Sequence, residues 1–363
     1  MKYLKPWLLS GSEIQLSNMF VVKIYDNQFD ELTEFLEGEY QNLTYDNRLG
    51  EVGSCSFLLQ TKNTKVTEEN IRHYNRVEVI ENGFVEFVGY IVTKRVTLDI
   101  VEVRCLQLFN ILKKRLYSGT LTGNAGDAMI TVLAAANATE DTGITAGDIV
   151  LSSTIDLTFD NLDVFSVLKS IAEKSSAQML VDNDRNFNAK TTLGDDLSAS
   201  VNVLYNINQP EQATLLKFEV SDDGTNIVTR AKAVSGSFTA TKNDSALQSQ
   251  YGILEAFSNI AVANDQDSTD DITEAQLKDA NYSPRLDLNP LKANLEFNAG
   301  DKVHIDISSG LVNISGDYQV LQKSVKIQGK QKLVSITTNT LKSDIITEIR
   351  TLQKKLALIE TQI

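Results

Sequence analysis

The side chains that could carry out acid–base chemistry are few and widely separated in this sequence. The chain has two histidines, His73 and His304. Neither has the second histidine four residues away that a zinc-binding helix needs, and no Gly-x-Ser-x-Gly sequence offers a nucleophile. A Ser-His-Asp site requires all its groups to converge. The sequence therefore favours packed or solvated strand histidines and predicts no catalytic residues.

An acidic run in the second half of the chain has part of the spacing of a calcium loop. With Asp265 as the first ligand, Asp267 and Thr269 stand where such a loop has oxygen donors. Asp270, however, occupies the position of the turn glycine, and Gln276 replaces the bidentate glutamate. We interpret the run as a surface loop leading into a helix, with a capping box at 271–274.

Two other polar segments fit turns better than ligand sites. The residues from Asp182 to Arg185 favour a hairpin turn, because Asp and Asn tolerate a left-handed backbone. Gly119, Gly123 and Gly126 lack the Lys-Ser/Thr ending of a phosphate-binding loop. The sequence thus predicts neither a metal site nor a cofactor.

Composition limits the remaining function classes. The 363 residues include 34 basic and 48 acidic ones, a net charge of −14, which argues against a protein that grips phosphates. No apolar run reaches the roughly 20 residues of a membrane span, and the N-terminus does not fit a signal peptide. Cys55 and Cys105 lie in strand-like runs and are expected to be buried, reduced thiols of a chain that folds in the cytoplasm.

Alternating polar and apolar residues dominate the first hundred positions and predict strands, with a hairpin at Asn82-Gly83. Helical spacing appears over 126–137 and 162–174, where Asp160 or Asn161 can cap the second helix. The expected division is a first β domain at 1–117, an α+β module at 118–200, a second β domain at 201–340 with a loop-rich insertion near 236–290, and a C-terminal coiled-coil helix at 341–363.

The two β domains share a pattern. Strand-like runs at 76–80, 90–92, 96–98 and 101–103 have counterparts at 302–306, 318–320, 325–327 and 333–336, in the same order and apolar phase. One interpretation is that any two β meanders look alike. The other is that the chain carries two similar barrels, and the sequence leaves both open.

The strongest interaction signal lies at the C-terminus, where apolar residues alternate at steps of four and three. This a/d seam consists of Ile345, Ile349, Leu352, Leu356, Ile359 and Ile363. Mixed Ile and Leu at such positions are compatible with trimers and with dimers. The alternative is a helix that packs on its own sheet. We favour self-association.

With these features, the chain resembles the baseplate hub, or tail-associated (Tal-like), proteins of long-tailed bacteriophages and related tail-like systems. Four stretches carry the resemblance: RLGEVGSCSF at 48–57; YNRVEV at 74–79 with FVGYI at 87–91; VFSVL at 164–168 with VD at 181–182; and FNAGDKVHI at 297–305 with YQV at 318–320. None is a catalytic fingerprint. Their order and spacing carry the match.

The resemblance implies a mainly β fold with α+β inserts: two tube-type antiparallel β-barrels, smaller α/β modules and a C-terminal helix. Three chains would supply six barrels, and this homotrimer would adapt a hexameric tail tube to a threefold tip. The implied partners are a distal tail or tail tube protein and tail-tip, fibre or tape-measure proteins, in a virion tail assembled in the host cytoplasm. DNA would pass without specific binding along an acidic wall, for which Glu78, Glu81, Glu86 and Asp306 are candidates.

Two other functions are compatible with a β-rich tail subunit. A distal-tail ring protein would form a hexamer, against which the coiled-coil seam argues. A receptor- or carbohydrate-binding tail-tip protein would expose an aromatic cluster, yet aromatics are only 7% of the chain and Trp7 is its single tryptophan. Larger hub relatives carry a C-terminal peptidase, lysozyme or fibre region. This sequence departs from them, so we expect no enzymatic activity.

Overall fold

The computed structural model describes residues 20–221, 227–260, 263–280, 285–291, 295–309, 312–328 and 331–338. The coiled-coil segment 341–363, with all six seam residues, lies outside the described residues. The fold is mainly β, as expected, with large antiparallel sheets and a few helices.

The first part of the chain forms seven strands, and most of their buried apolar side chains face one core, while Val88 and Tyr90 pack with the module that follows. The strands are β1 (Phe20–Tyr25), β2 (Glu31–Phe35), β3 (Tyr40–Arg48), β4 (Ser54–Gln60), β5 (Arg76–Glu81), β6 (Phe84–Val96) and β7 (Ile100–Gln107). The β5–β6 hairpin turns at Asn82 and Gly83, with φ values of 51° and 85°. Asn and Gly are the residues that accept two positive φ angles in succession, so the hairpin prediction is confirmed.

A compact α+β module follows a 3-10 helix at Leu108–Lys114. Its elements are β8 (Leu116–Asn124), α1 (Ala125–Thr139), β9 (Thr145–Val150), β10 (Thr154–Asp163), α2 (Val164–Lys174), β11 (Gln178–Val181) and β12 (Asn186–Lys190). The cap of α2 differs from the expectation. Asp160 and Asn161 belong to an irregularity in β10, where Asn161 has a φ of 50°, and Asp163 caps the helix by accepting from the Ser166 amide.

The remainder of the chain continues with strands and two helices. They are β13 (Asn202–Asn206), a 3-10 turn at Pro210–Gln212, β14 (Leu215–Ser221), β15 (Arg230–Ser235), β16 (Phe238–Asn243), α3 (Ser245–Tyr251), β17 (Glu255–Asn259), α4 (Gln266–Ala280), β18 (Arg285–Leu291), β19 (Lys302–Ser309), β20 (Val312–Gln328) and β21 (Gln331–Thr338).

The segment 236–290 is more regular than its polar composition suggests. The strands β15, β16 and β17 form a small sheet that packs against α4. The hydroxyls of the buried Thr269 and Thr273 donate to backbone oxygens one turn earlier, which satisfies them inside the helix. Helix α4 begins at Gln266, with the Asp265 carboxylate accepting from the Ser268 amide, so the capping box expected at 271–274 is wrong.

Thirteen strands form one continuous sheet. Eleven follow one another in the order β14-β18-β21-β20-β3-β4-β7-β6-β5-β1-β2, while β19 pairs with β20 and β13 with β19. Buried side chains from both halves, among them Phe57, Phe87, Val303 and Val325, belong to a single core. Across the described strands the pairing closes no ring, so the two-barrel arrangement stays a prediction.

The sheet contains the same five-strand unit twice. The first repeat, β3 to β7, has the spatial order β3-β4-β7-β6-β5; the second repeat, β14 and β18 to β21, has the order β14-β18-β21-β20-β19. Every pairing in both is antiparallel. Both repeats also carry a bulge at the equivalent position, which follows Ile91 in β6 and Val320 in β20. Shared order, direction and bulge favour a true repeat over two unrelated meanders.

Candidate interaction surface

The histidines do not form part of a converging site. His73 is exposed on the connection between β4 and β5. His304 lies on β19 in the second repeat, with its Nδ1 2.7 Å from Asp317 Oδ1 on the neighbouring strand. In the described part of the chain, no group of three or more His, Cys, Asp or Glu side chains could hold a metal ion.

The acidic run and the turn near Asp182 have structural roles. The run occupies the N-terminal turns of α4, and Asp271 pairs with Lys174 of α2, so it links two helices. Asp182 Oδ1 accepts from the backbone amides of Asp184 at 3.0 Å and Asn186 at 2.8 Å, which is the hairpin turn that the sequence predicts.

The two cysteines face each other across the centre of the first repeat. Cys55 on β4 is the direct cross-strand partner of Cys105 on β7. Both are buried and free of disulfides. Burial raises the pKa of the Cys55 thiol well above its usual value, with a further rise from the neighbouring Cys105. A neutral, buried thiol is a poor nucleophile, so these side chains pack rather than react.

The two repeats meet where β3 pairs with β20, a contact named here the repeat junction. Its antiparallel register runs from Gln322 opposite Arg48 to Lys326 opposite Thr44. At its centre Tyr45 is opposite Val325, and these side chains are only 2% and 1% exposed. The junction thus buries apolar surface and extends the hydrogen bonding from one repeat into the other.

Charged groups reinforce the repeat junction beside the strand pairing. Lys332 Nζ of β21 lies 2.5 Å from Glu81 Oε2 at the end of β5. Lys323 Nζ of β20 lies 3.4 Å from Glu86 Oε2 of β6, and the Asn47 side chain donates to the Glu86 backbone oxygen at 2.9 Å. Each of these ion pairs connects a strand of the first repeat with a strand of the second, so both join the two repeats.

The surroundings of the four acidic residues suggested for a channel wall are different. Glu81 and Glu86 lie at the repeat junction, and Glu78 accepts a hydrogen bond from the Tyr25 hydroxyl at 2.9 Å. Asp306 is exposed on β19. Three of the four therefore have partners within the chain, and their exposure to a channel stays a prediction.

Each repeat has one strand edge that is unpaired among the described strands, although the equivalent edge in the other repeat is paired. The edge of β3 pairs with β20, but the matching edge of β14 pairs with no described strand. Of the described strands, only β13 approaches it, at its start, where the Thr214 amide donates to the Leu204 backbone oxygen at 3.0 Å. Likewise, the part of β20 after its bulge lies between β21 and β3, whereas the part of β6 after its bulge pairs only with β7 within the described chain. The sequence contains no signal for this asymmetry, because the strands themselves have the same pattern.

Exposed apolar residues mark the open edge of β6. Val96 is 62% exposed, and Leu98 at the tip of the β6–β7 hairpin is 90% exposed. Ile100, where β7 begins, is partly exposed as well. Leu216 is exposed on β14. Apolar side chains adjoining unpaired strand edges are typical of surfaces that another chain covers.

Comparison with known proteins identifies the fold. No protein-family model and no curated protein sequence matches the chain. A tail protein from Neisseria meningitidis is similar in structure, with 14% identity and a TM-score of 0.63, over 88% of this chain and 96% of that one. A 43 kDa tail protein of prophage MuSo2 from Shewanella oneidensis is 8% identical with a TM-score of 0.64, over 89% and 98% of the two chains.

None of the helices in the described ranges has the length and apolar character to span a membrane.

A prophage tail protein from Listeria monocytogenes shows the same likeness at 13% identity and a TM-score of 0.55, covering 93% of this chain and 99% of that one. The similarity extends over nearly the whole of each relative, so it includes both repeats and the module between them. This chain has the fold of bacteriophage tail proteins.

Proposed function

We propose that this chain is a non-enzymatic structural subunit of a phage-type tail, in which it acts as a homotrimeric hub of the baseplate or tail tip. The observation that carries the proposal is the duplicated five-strand unit joined edge to edge in one sheet. Two equivalent units per chain allow three chains to present six units. A threefold assembly can then continue a sixfold tube.

In this proposal, each repeat contributes one tube-type barrel to a ring, and the repeat junction is the contact between neighbouring barrels. The ring surrounds a channel through which DNA passes without specific binding. A net charge of −14 supports a wall that repels a polyanion. The exposure of Asp306 supports its proposed role in such a wall.

The proposed neighbours follow from a position between tube and tip. On one side the hub would bind the tail tube or a distal tail protein, and on the other tail-tip, fibre or tape-measure proteins. The segment 341–363 would close the trimer as a three-stranded coiled coil. The location is the virion tail, assembled in the host cytoplasm.

The mass of the purified assembly tests this proposal. Native mass spectrometry should give three chains per particle. Six chains would favour a distal-tail ring protein, and a stable monomer would overturn the hub. A receptor-binding role would instead appear as binding to host-surface glycans by the monomeric chain.

A second test addresses the coiled-coil segment. Replacing Leu352 and Leu356 with Asp places charges in the seam, so the fraction of trimer should fall. Gln353→Asp, outside the seam, is the matched control and should leave the trimer intact. A double variant that remains fully trimeric would remove the segment from the interface.

A further inference from the structure

The two repeats differ in exposure at one equivalent position. Val96 lies five residues after Ile91, where the β6 bulge begins, and Val325 lies five residues after Val320, where the β20 bulge begins. The two valines therefore occupy the same place. Val325 is 1% exposed and Val96 is 62% exposed. The difference arises because β3 pairs alongside Val325, while no described strand pairs alongside Val96.

The strand missing beside β6 has a counterpart in the second repeat. Tyr45 of β3 pairs with Cys55, which pairs with Cys105. Along the same path in the second repeat, the backbone of Val220 pairs with Leu286, which pairs with Thr338. Since the bulges align Cys105 with Thr338, position 220 of β14 corresponds to position 45 of β3. The free edge of β14 is thus equivalent to the edge of β3 that forms the repeat junction.

We propose that β14 of one copy of this chain, over positions 219–221, pairs antiparallel with residues 95–97 of a second copy. This inference rests on the proposed homotrimer and specifies its interface. The register copies the repeat junction: position 220 lies opposite Val96, and Glu219 lies opposite Thr97, as Thr44 lies opposite Lys326 within the chain. The two partner surfaces are different, so the contact is heterologous, and in the proposed homotrimer three such contacts close the ring.

Charge and apolar surface both fit this pairing. Arg95 lies two residues before Thr97, on the same face of the strand, and is therefore the diagonal neighbour of Glu219 across the interface. Both side chains are exposed in the single chain. Pairing also covers Val96, whose counterpart Val325 shows that this place in the unit accommodates a fully buried valine.

Val96→Asp tests the interface by placing a charge where the proposal buries a methyl-bearing side chain. Val150→Asp is the matched control, because Val150 is 63% exposed on β9 and lies outside the sheet repeats. Both substitutions are at exposed strand positions, so both variants should fold, which circular dichroism verifies. Native mass spectrometry should show loss of the trimer for Val96→Asp and an unchanged trimer for Val150→Asp.

Cross-linking tests the register itself. In the variant carrying Thr97→Cys and Glu219→Cys, oxidation should link one chain to the next and give covalent dimers and trimers on a denaturing gel. Directly opposite Cβ atoms are about 5 Å apart, within reach of a disulfide, whereas diagonal ones are roughly 7–8 Å apart. Thr97→Cys with Lys217→Cys, two residues out of register, should therefore cross-link much less. The native cysteines are buried and do not compete.

The outcomes separate this inference from the hub proposal. A wild-type trimer that survives Val96→Asp and gives no 97–219 cross-link overturns the strand pairing and leaves the trimeric hub standing. A wild-type monomer overturns both. A trimer that dissociates on Val96→Asp and forms the 97–219 cross-link supports the pairing in the proposed register.

Discussion

The ion pair between Glu81 and Lys332 should couple the two repeats energetically. The charged atoms are 2.5 Å apart, and the side chains are only 9% and 24% exposed. Exposed pairs contribute about 0.5 kcal/mol, while breaking a fully buried pair costs about 3–5 kcal/mol. A double-mutant cycle cancels the cost of the uncompensated charge, and for a close, partly buried pair such as this we expect a coupling of about 2 kcal/mol. The measurement is a double-mutant cycle with Glu81→Gln, Lys332→Met and the combined variant.

Urea is the appropriate denaturant, because it leaves the ionic strength unchanged and does not screen the pair. The matched control is the pair of Lys65 with Glu39, 2.6 Å apart, whose side chains are 35% and 30% exposed. It joins the residue before β3 to the β4–β5 connection and makes no contact between the repeats. Its coupling should be about 0.5 kcal/mol. If the Glu81–Lys332 coupling were no larger than this control, electrostatic linkage of the repeats at this point would be refuted.

Three further predictions concern the core. The hydroxyl of Tyr45 is buried with no hydrogen-bond partner among the described residues, so Tyr45→Phe should raise the free energy of unfolding by about 1 kcal/mol in urea titrations; a clear loss would contradict this. A Cβ at position 53 would lie 2.1 Å from the Asp46 backbone oxygen, so Gly53→Ala should lower the free energy of unfolding by about 3 kcal/mol or more. Gly316→Ala is the control: its Cβ would lie 3.5 Å from the nearest atom, so the free energy of unfolding should change by less than about 1 kcal/mol. Because burial raises the pKa of Cys55, its thiol should stay protonated near neutral pH and react with a thiol reagent only after unfolding; stoichiometric labelling of the folded chain would refute this.

Local elements with strong short-range signals were predictable from the sequence. The Asn82-Gly83 hairpin, helix α1 and the turn at Asp182 all depend on backbone preferences of a few adjacent residues. The α2 cap was misplaced by two or three residues, since Asn161 adopts a positive φ to make an irregular strand rather than to open a helix. Local preference does not distinguish these two uses of the same residue type.

The segment 236–290 shows where composition misleads. Ser, Thr and Asp are typical of loops, but here hydroxyl groups donate to helix carbonyls, and small residues such as Ala233 and Ala240 let a three-stranded sheet approach α4. Whether a Thr is solvated in a loop or satisfied inside a helix depends on what packs beside it. That neighbour is supplied by the tertiary fold.

By itself, the sequence determined the strand periodicity, the similar order of strand-like runs in both halves and the scarcity of catalytic groups. Only the tertiary structure decided that β3 joins β20 and that Glu81 and Glu86 lie beside Lys332 and Lys323. The physical reason is that strand pairing is made by backbone groups that every residue carries, so the pattern of a strand specifies its buried face and not its neighbour. The neighbour follows from how the whole sheet and its single core assemble.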